Sequence, residues 1–224
     1  MKPNIQVPRI DSITSTELEV VQAAFEQAEP VELRQAWLDK PQPEFRPGTV
    51  RVAWQPAALW LFAELHDDDM FNAATRMNEQ TWQLGDVFEI FLRSTARENY
   101  IEFHVTPENQ LLQIGFPSAE VFRALGQGEA DIKLADLMIA EKVLESRTWV
   151  QPEKKRWHVL AGLPPNVVTG ADAFAAGETF LFSFCRYDCT RGVEQPVLSS
   201  TSPHERLGDG GYHRQADWGT LRLV

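Results

Sequence analysis

Two neighbouring segments constrain this chain more than any others. In Val87-Phe88-Glu89-Ile90-Phe91-Leu92, one alternation carries Phe88, Ile90 and Leu92, and the other carries Val87, Glu89 and Phe91. In Tyr100-Ile101-Glu102-Phe103-His104-Val105, the apolar set is Ile101, Phe103 and Val105, against Tyr100, Glu102 and His104. Side chains alternate strictly along a strand, so a hairpin that buries both apolar sets must bring Glu89, Glu102 and His104 together on the opposite face. Such a face is either a solvated surface or the floor of a site.

Period-two patterning recurs along most of the chain. Val50, Val52 and Trp54 alternate with Arg51 and Ala53, and residues 59–65 are apolar on nearly both faces, as in a central strand. Further strands are expected at 110–116, 145–151, 155–162, 179–187 and 218–224. Pro117, Pro152, Pro164-Pro165, Gly170, Gly177 and the glycines of 208–211 mark the turns between them. Helical spacing is clearest near 16–28, where Thr16 and Glu19 have the spacing of a capping box and Leu18, Val21, Phe25 and Ala28 recur before Pro30. The acidic stretch 126–142 reads as an insertion crossing between strands. Many short, evenly spaced strands predict an all-β, antiparallel β-sandwich of immunoglobulin or jelly-roll type with one short N-terminal helix. One domain over 1–224 is expected, with 1–49 as its lead-in.

Charge narrows the partner. Lys and Arg number 21 against 32 Asp and Glu, a net charge of −11. Binding to nucleic-acid backbone or to anionic lipid requires a basic footprint, so neither partner is expected. A carbohydrate, small polar ligand or protein remains. The first residues hold no apolar stretch of roughly 7–15 residues, which predicts a cytoplasmic location unless an export signal has been removed. Cys185 and Cys189, spaced C-x-x-x-C, fit neither a disulfide framework nor a redox C-x-x-C, and are expected as reduced thiols. The 7 tryptophans need accounting for. Trp54, Trp60, Trp157 and Trp218 lie in strand patterns and are expected in the core or at its edge. Trp37 and Trp149 read as packing residues. Trp82 stands outside any apolar periodicity, between Asn78-Glu79-Gln80-Thr81 and Gln83.

The order of segments carries a resemblance. An apolar strand ending in Leu65-His66-Asp67-Asp68-Asp69 is followed by Trp82-Gln83-Leu84-Gly85-Asp86-Val87-Phe88-Glu89-Ile90-Phe91-Leu92 and then by 100–105. Later come Arg156-Trp157-His158-Val159-Leu160-Ala161-Gly162-Leu163-Pro164, residues 180–187, and a closing Tyr212-His213-Arg214-Gln215-Ala216-Asp217-Trp218-Gly219-Thr220-Leu221. From about residue 50 to the end, this resembles carbohydrate-binding module family 9, within the wider DOMON-like sandwich group. That family carries a Trp-x-x-Asp-x-x-Glu strand and a terminal aromatic-containing loop leading to Phe-Gly-x-Leu-x-Leu. The resemblance implies non-catalytic sugar binding between two aromatics above a charged strand floor. By position it implies Trp82 and Tyr212 as the stacking platforms, Glu89 as the floor carboxylate, His104 where the family has arginine, and Asp209 near an amide position. Glu102 and Arg186 complete the expected floor, although Arg186, sharing a strand face with Phe182 and Phe184, suits a strand-end salt bridge equally. The gap from Trp82 to Asp86 is one residue longer than the family's.

These residue types suit a sugar. A flat aromatic covers the C–H-rich face of a pyranose by dispersion and burial, while rigid charged acceptors bind its hydroxyl rim more strongly than neutral ones. Other readings stand beside this one. Asp67, Asp68 and Asp69 form either a solvated strand-end turn or a set of oxygen ligands for calcium. Met70, Met77 and His104 supply the side-chain types by which DOMON-like relatives hold haem, without a spacing that selects it. A sandwich that interacts with protein and lacks a sugar site is a further alternative. For glycoside hydrolysis, Glu89 and Glu102 are the one carboxylate pair able to share a face, and no nucleophile elbow or metal-binding motif accompanies them.

Overall fold

The period-two segments pair into two sheets in the computed structural model, which describes residues 1–129, 131–205 and 211–224. Among those residues twelve strands, numbered in chain order, build the sheets. The larger runs β1 (Asn4–Val7), β12 (Gly219–Leu223), β10 (Thr179–Asp188), β5 (Val87–Ser94), β6 (Tyr100–Val105) and β7 (Leu111–Phe116), with β11 (Val197–Ser200) also paired to β10. The smaller runs β2 (Val31–Leu33), β3 (Gly48–Gln55), β4 (Ala58–His66), β9 (Arg156–Leu163) and β8 (Glu145–Gln151). These pairings are antiparallel except that β1 runs parallel to β12. The all-β sandwich is thus the observed architecture.

The alternation along β5 and β6 sets the two sides of the larger sheet. Phe88, Ile90 and Leu92, with Ile101, Phe103 and Val105, enter the core between the sheets, where they join Val50, Val52, Leu61, Trp157 and Val159. Helix α1 (Leu18–Ala24) lies on the outer face of the smaller sheet, its Leu18 and Val21, with Phe25 just beyond its end, packing with Trp60, Phe62 and Leu160. It starts later than the Thr16–Glu19 spacing predicts. Glu17 occupies the N-cap without a side-chain bond, and its N–H donates instead to Ser15 Oγ at 3.1 Å. Burying the apolar stripe decides where the helix lies, and the local cap gives way to it.

The outer face of the larger sheet carries a layer of its own. Tyr212 and Trp218 cover Phe91, Tyr100 and Cys185, and Trp218 Nε1 donates to the Tyr212 carbonyl at 2.7 Å. Beyond them, α2 (Ala119–Gln127) and a 3-10 turn at Leu134–Leu137 bring Phe122, Leu125 and Leu134 against the same cluster. The acidic stretch predicted to be a crossing insertion therefore forms a wall. Gln113 ties it down: its Nε2 donates to the Glu141 carbonyl at 2.9 Å, and its Oε1 accepts from Val143 and Leu144 N–H at 3.0 and 2.8 Å. The predicted lead-in also supplies two strands, β1 and β2, which join different sheets. A short helix, α3 (Pro165–Val168), follows β9.

Tryptophans 54, 60, 157 and 218 are all buried. Trp149 and Trp37 pack at the edges of the two outer clusters. Cys185 is buried and Cys189 half-buried, both as free thiols. Among the described residues, no helix is long and apolar enough to cross a membrane.

One ion pair joins the two sheets at an end of the sandwich. Arg186 on β10 is 0% exposed; its guanidinium donates to Asp67 Oδ2 at 2.9 Å and to the His66 carbonyl at 2.6 Å, beside Asp188 at 3.3 Å. Asp67 directly follows β4 of the opposite sheet. Removing one partner of a buried pair strands the other charge, so Arg186→Met should cost about 3–5 kcal/mol of unfolding free energy. Urea denaturation measures this directly; a loss below about 1 kcal/mol would mean the pair does not hold the sheets. A second test concerns His204, buried under the outer layer with Nε2 3.0 Å from Ser183 Oγ. Burial, aided by the nearby charges of Arg214 and His213, pushes its pKa down to about 4. Unfolded, it would take up a proton near 6.5, so its stabilising contribution is complete above that pH and is lost as pH falls toward 4. The wild-type protein should therefore lose up to roughly 3 kcal/mol more than His204→Gln between pH 7 and pH 4. Equal losses in the two proteins would exclude this histidine as a cause.

Candidate functional site

The register of β5 and β6 places Glu89 directly across from His104 and Phe91 across from Glu102. All four lie on the outer face, where Glu89, Phe91 and Glu102 line a pocket of about 310 Å³. Phe91, Ile114 and Phe116 form its apolar floor beside the two glutamates. Trp82, Phe122, Leu134, Tyr187, Tyr212 and His213 complete its lining.

Trp82 owes its place to a polar loop. It sits in a 3-10 turn at Thr81–Gln83, preceding β5. Asn72 Nδ2 donates to the carbonyls of Thr81 and Asp86 at 2.9 and 3.1 Å, and Asp86 Oδ2 accepts from Phe71 N–H at 2.7 Å. Gly85 permits this closure: at φ +142° it lies so near the Phe71 carbonyl that a Cβ would stand 2.3 Å from that oxygen. Asp86, the family-like aspartate, therefore builds the loop and leaves the pocket to other groups. Its second oxygen accepts from Cys189 N–H at 2.7 Å. The Trp82 ring then meets His104 edge-on, with centroids 5.7 Å apart.

Beneath Trp82 lies a chain of buried polar groups. His104 Nδ1 is 2.8 Å from Thr81 Oγ1, and Nε2 is 2.8 Å from Glu102 Oε1 and 3.3 Å from Glu89 Oε1. Glu102 Oε2 lies 3.4 Å from His213 Nε2, and His213 Nδ1 lies 2.9 Å from the Tyr100 hydroxyl. Burial pushes the Glu89 carboxyl up to about 8, with the Glu102 charge adding to it and His104 opposing. Burial also works against charge on Glu102 and His104. There it is outweighed: His213 and His104 hold Glu102 below the usual carboxylate range, and the two glutamates hold His104 above its ordinary value. Burial drives His213 down to about 4 against the pull of Glu102. A neutral His213 accepts from the Tyr100 hydroxyl at Nδ1 and turns Nε2 toward Glu102. Glu89, Glu102 and His104 thus share charge as one unit, in which burial disfavours ionisation of Glu89 most. Glu89 Oε2 is buried without a hydrogen-bond partner among the described residues.

Trp82, Glu89, Glu102 and Tyr212 all line this pocket, with His104 directly below. Tyr212 is buried, its hydroxyl donating to the Arg186 carbonyl at 3.4 Å, so its ring forms more of the wall than of an open platform. Arg186 is not with them. Phe88 pairs with Arg186 and Glu89 with Cys185, so the arginine projects to the interior face of the sheet. The aromatic on its neighbour, Tyr187, lines the pocket instead, half-exposed. Parity along β10 carries that signal, because Tyr187 follows Cys185 by two. His213 had no periodicity to reveal it, and Phe122 comes from a helix marked by Ser118 at its N-cap and Gly128 just past its end. Asp209 lies outside the described residues.

The other candidate ligands separate. Asp67 pairs with Arg186, Asp68 with Arg46 and Lys155 at 2.6 and 2.9 Å, and Asp69 with Arg191, so the three turn to different partners and do not form one calcium cradle. Asp67 instead approaches Asp86 and Asp188, with the Arg186 guanidinium beside it. Met77 lies against Gln113, which shares its face with Phe103, so Met77 and His104 are on opposite sides of the sheet; Met70 packs on the sandwich core. No haem-like Met–His pair results among these residues. Glu89 and Glu102 offer oxygens within 4.8 Å of each other and flank one imidazole. A Ser183–His204–Asp217 series also occurs, but its His204–Asp217 contact is 3.9 Å and Ser183 is fully buried against Ser200 and Cys185. This series reads as core polar packing.

No family model and no curated protein sequence matches the chain. Solved structures do. A candidate carbohydrate-binding protein from Bacteroides uniformis superposes with a TM-score of 0.75 at 16% identity, covering 99% of both chains. A family 9 carbohydrate-binding module from Caldicellulosiruptor kristjanssonii in complex with cellotriose gives a TM-score of 0.64 at 15% identity, over 99% of this chain and 93% of that one. A structure of a family 9 module from the same organism in complex with glucose gives 0.63 at 13% identity, over 99% and 96%. Over almost its whole length the chain therefore carries the β-sandwich fold of the family 9 carbohydrate-binding modules.

Proposed function

We propose that this protein binds carbohydrate, without catalysing its cleavage, in the pocket beneath Trp82. The observation that carries the reading is the joining of a half-exposed indole to two buried carboxylates in one small cavity. At about 310 Å³, the cavity is at the lower end of the roughly 300–1,000 Å³ range of small-molecule sites, which suits one or two sugar rings. Trp82, Tyr187 and Phe122, which all line the pocket, would cover the apolar faces of a ring. Glu89 and Glu102 would take its hydroxyls, held rigid by strand pairing and by His104. Sugar complexes of family 9 modules with this fold lend support. A net charge of −11 favours a neutral sugar over an anionic one.

Calorimetric titration with neutral mono- and disaccharides, followed in parallel by tryptophan fluorescence, tests this reading. At least one sugar should bind with a dissociation constant in the micromolar to millimolar range. Trp82→Ala should weaken it about tenfold or more, roughly 1.4 kcal/mol. Tyr187→Ala should lower affinity with little change in melting temperature. Tyr212→Ala should instead lose about 3 kcal/mol of stability, because its ring is buried. Silence from every sugar at millimolar concentration, or full affinity in Trp82→Ala, would remove the site.

A further inference from the structure

We propose that Glu89, Glu102 and His104 form a divalent-metal site of zinc type in the floor of the pocket. Their ligand atoms, one imidazole nitrogen and two carboxylate oxygens, all lie within 4.8 Å of one another. A zinc ion about 2.0–2.2 Å from each ligand atom keeps adjacent ligands roughly 3–3.5 Å apart. The separations of 2.8 and 3.3 Å from His104 Nε2 to the glutamates are therefore those of a site needing only small adjustment.

Three further features point to an ion. Glu89 Oε2, on a side chain 3% exposed, has no hydrogen-bond partner among the described residues, and a carboxylate oxygen left unpartnered at that depth invites a cation. His104 holds Thr81 Oγ1 through Nδ1 at 2.8 Å, leaving Nε2 toward the carboxylates; a second-sphere bond of this kind orients metal-binding histidines. Glu102 is likewise backed by His213 through its other oxygen. Because both glutamates line the pocket, the remaining coordination positions would open into it, as at zinc sites that accept an outside ligand. The imidazole favours zinc over calcium or magnesium, which take oxygen.

A second buried group, Asp67, Asp86 and Asp188, is a weaker candidate. Arg186 lies against Asp67 and Asp188, and Asp86 already accepts two backbone N–H groups. Zinc at this site would bind without any sugar present.

Zn²⁺ titrated calorimetrically into the full chain at neutral pH should bind as one ion per chain, with a dissociation constant on the order of micromolar or lower. X-ray absorption of the loaded protein should show one imidazole, oxygen for the rest, and no sulfur. Glu89→Gln and His104→Gln should each weaken binding about tenfold or more, while Asp188→Asn stays within about twofold. No binding of Zn²⁺ would overturn the proposal, as would unchanged affinity in Glu89→Gln. So would a second imidazole in the spectrum, as His66 and His158 beside Glu64 would supply. If His104→Gln does not fold, the spectrum of the unaltered protein decides the matter alone.

Discussion

The pleat shared by β5 and β6 is the constraint on which the rest of this structure depends. Period-two alternation permits one arrangement in which Phe88, Ile90, Leu92, Ile101, Phe103 and Val105 all enter the core. Slipping either strand by one residue would put glutamate and histidine between the sheets and leave phenylalanine outside. The apolar side therefore pins the register, and the register assembles Glu89, Glu102 and His104 on the other side. A polar site arises here as the obligatory reverse of a hydrophobic core.

Carboxylates on an open sheet face would be ordinary solvated residues. What changes them is the second covering of that face, by Trp82, α2 and the segment around Tyr212. Covering withdraws water, and the polar groups then have to satisfy one another: Thr81, His104, Glu102, His213 and Tyr100 form a continuous series. Glu89 is left with one oxygen outside that series, and burial works against its charge. This incomplete satisfaction, beside the pocket under Trp82, underlies both the sugar site and the metal site proposed above.

The two sheets are held differently at the end of the sandwich near β10. Arg186 spends its charge on Asp67 and Asp188, and the neighbouring Asp68 and Asp69 are taken by Arg46, Lys155 and Arg191. The acidic run after β4 thus closes the fold. Asp86 does similar duty for the Trp82 loop. Residues whose spacing suggests ligand chemistry serve here to fix the scaffold, while the pocket draws on aromatics from several distant stretches of chain.

Much of this was legible from residues alone, and the limit has a physical cause. Alternation is local, so the strands, the inward and outward sets of β5 and β6, and the burial of Trp54, Trp60, Trp157 and Trp218 could be read directly. The same rule, applied along β10, would have exchanged Arg186 for Tyr187. Terminal strands β1 and β2 are short and pair with distant partners, leaving too little periodicity to announce them. The acidic stretch 126–142 gains its role from contact with Gln113 and Ile114, which no local pattern encodes. By itself, then, the sequence determined the sandwich and which polar side chains share a face, because those follow from steric alternation and burial within single strands. Tertiary structure alone decided that this face is roofed, which aromatics roof it and which carboxylate goes unpaired, since those depend on segments far apart in the chain competing for the same surface and excluding the same water.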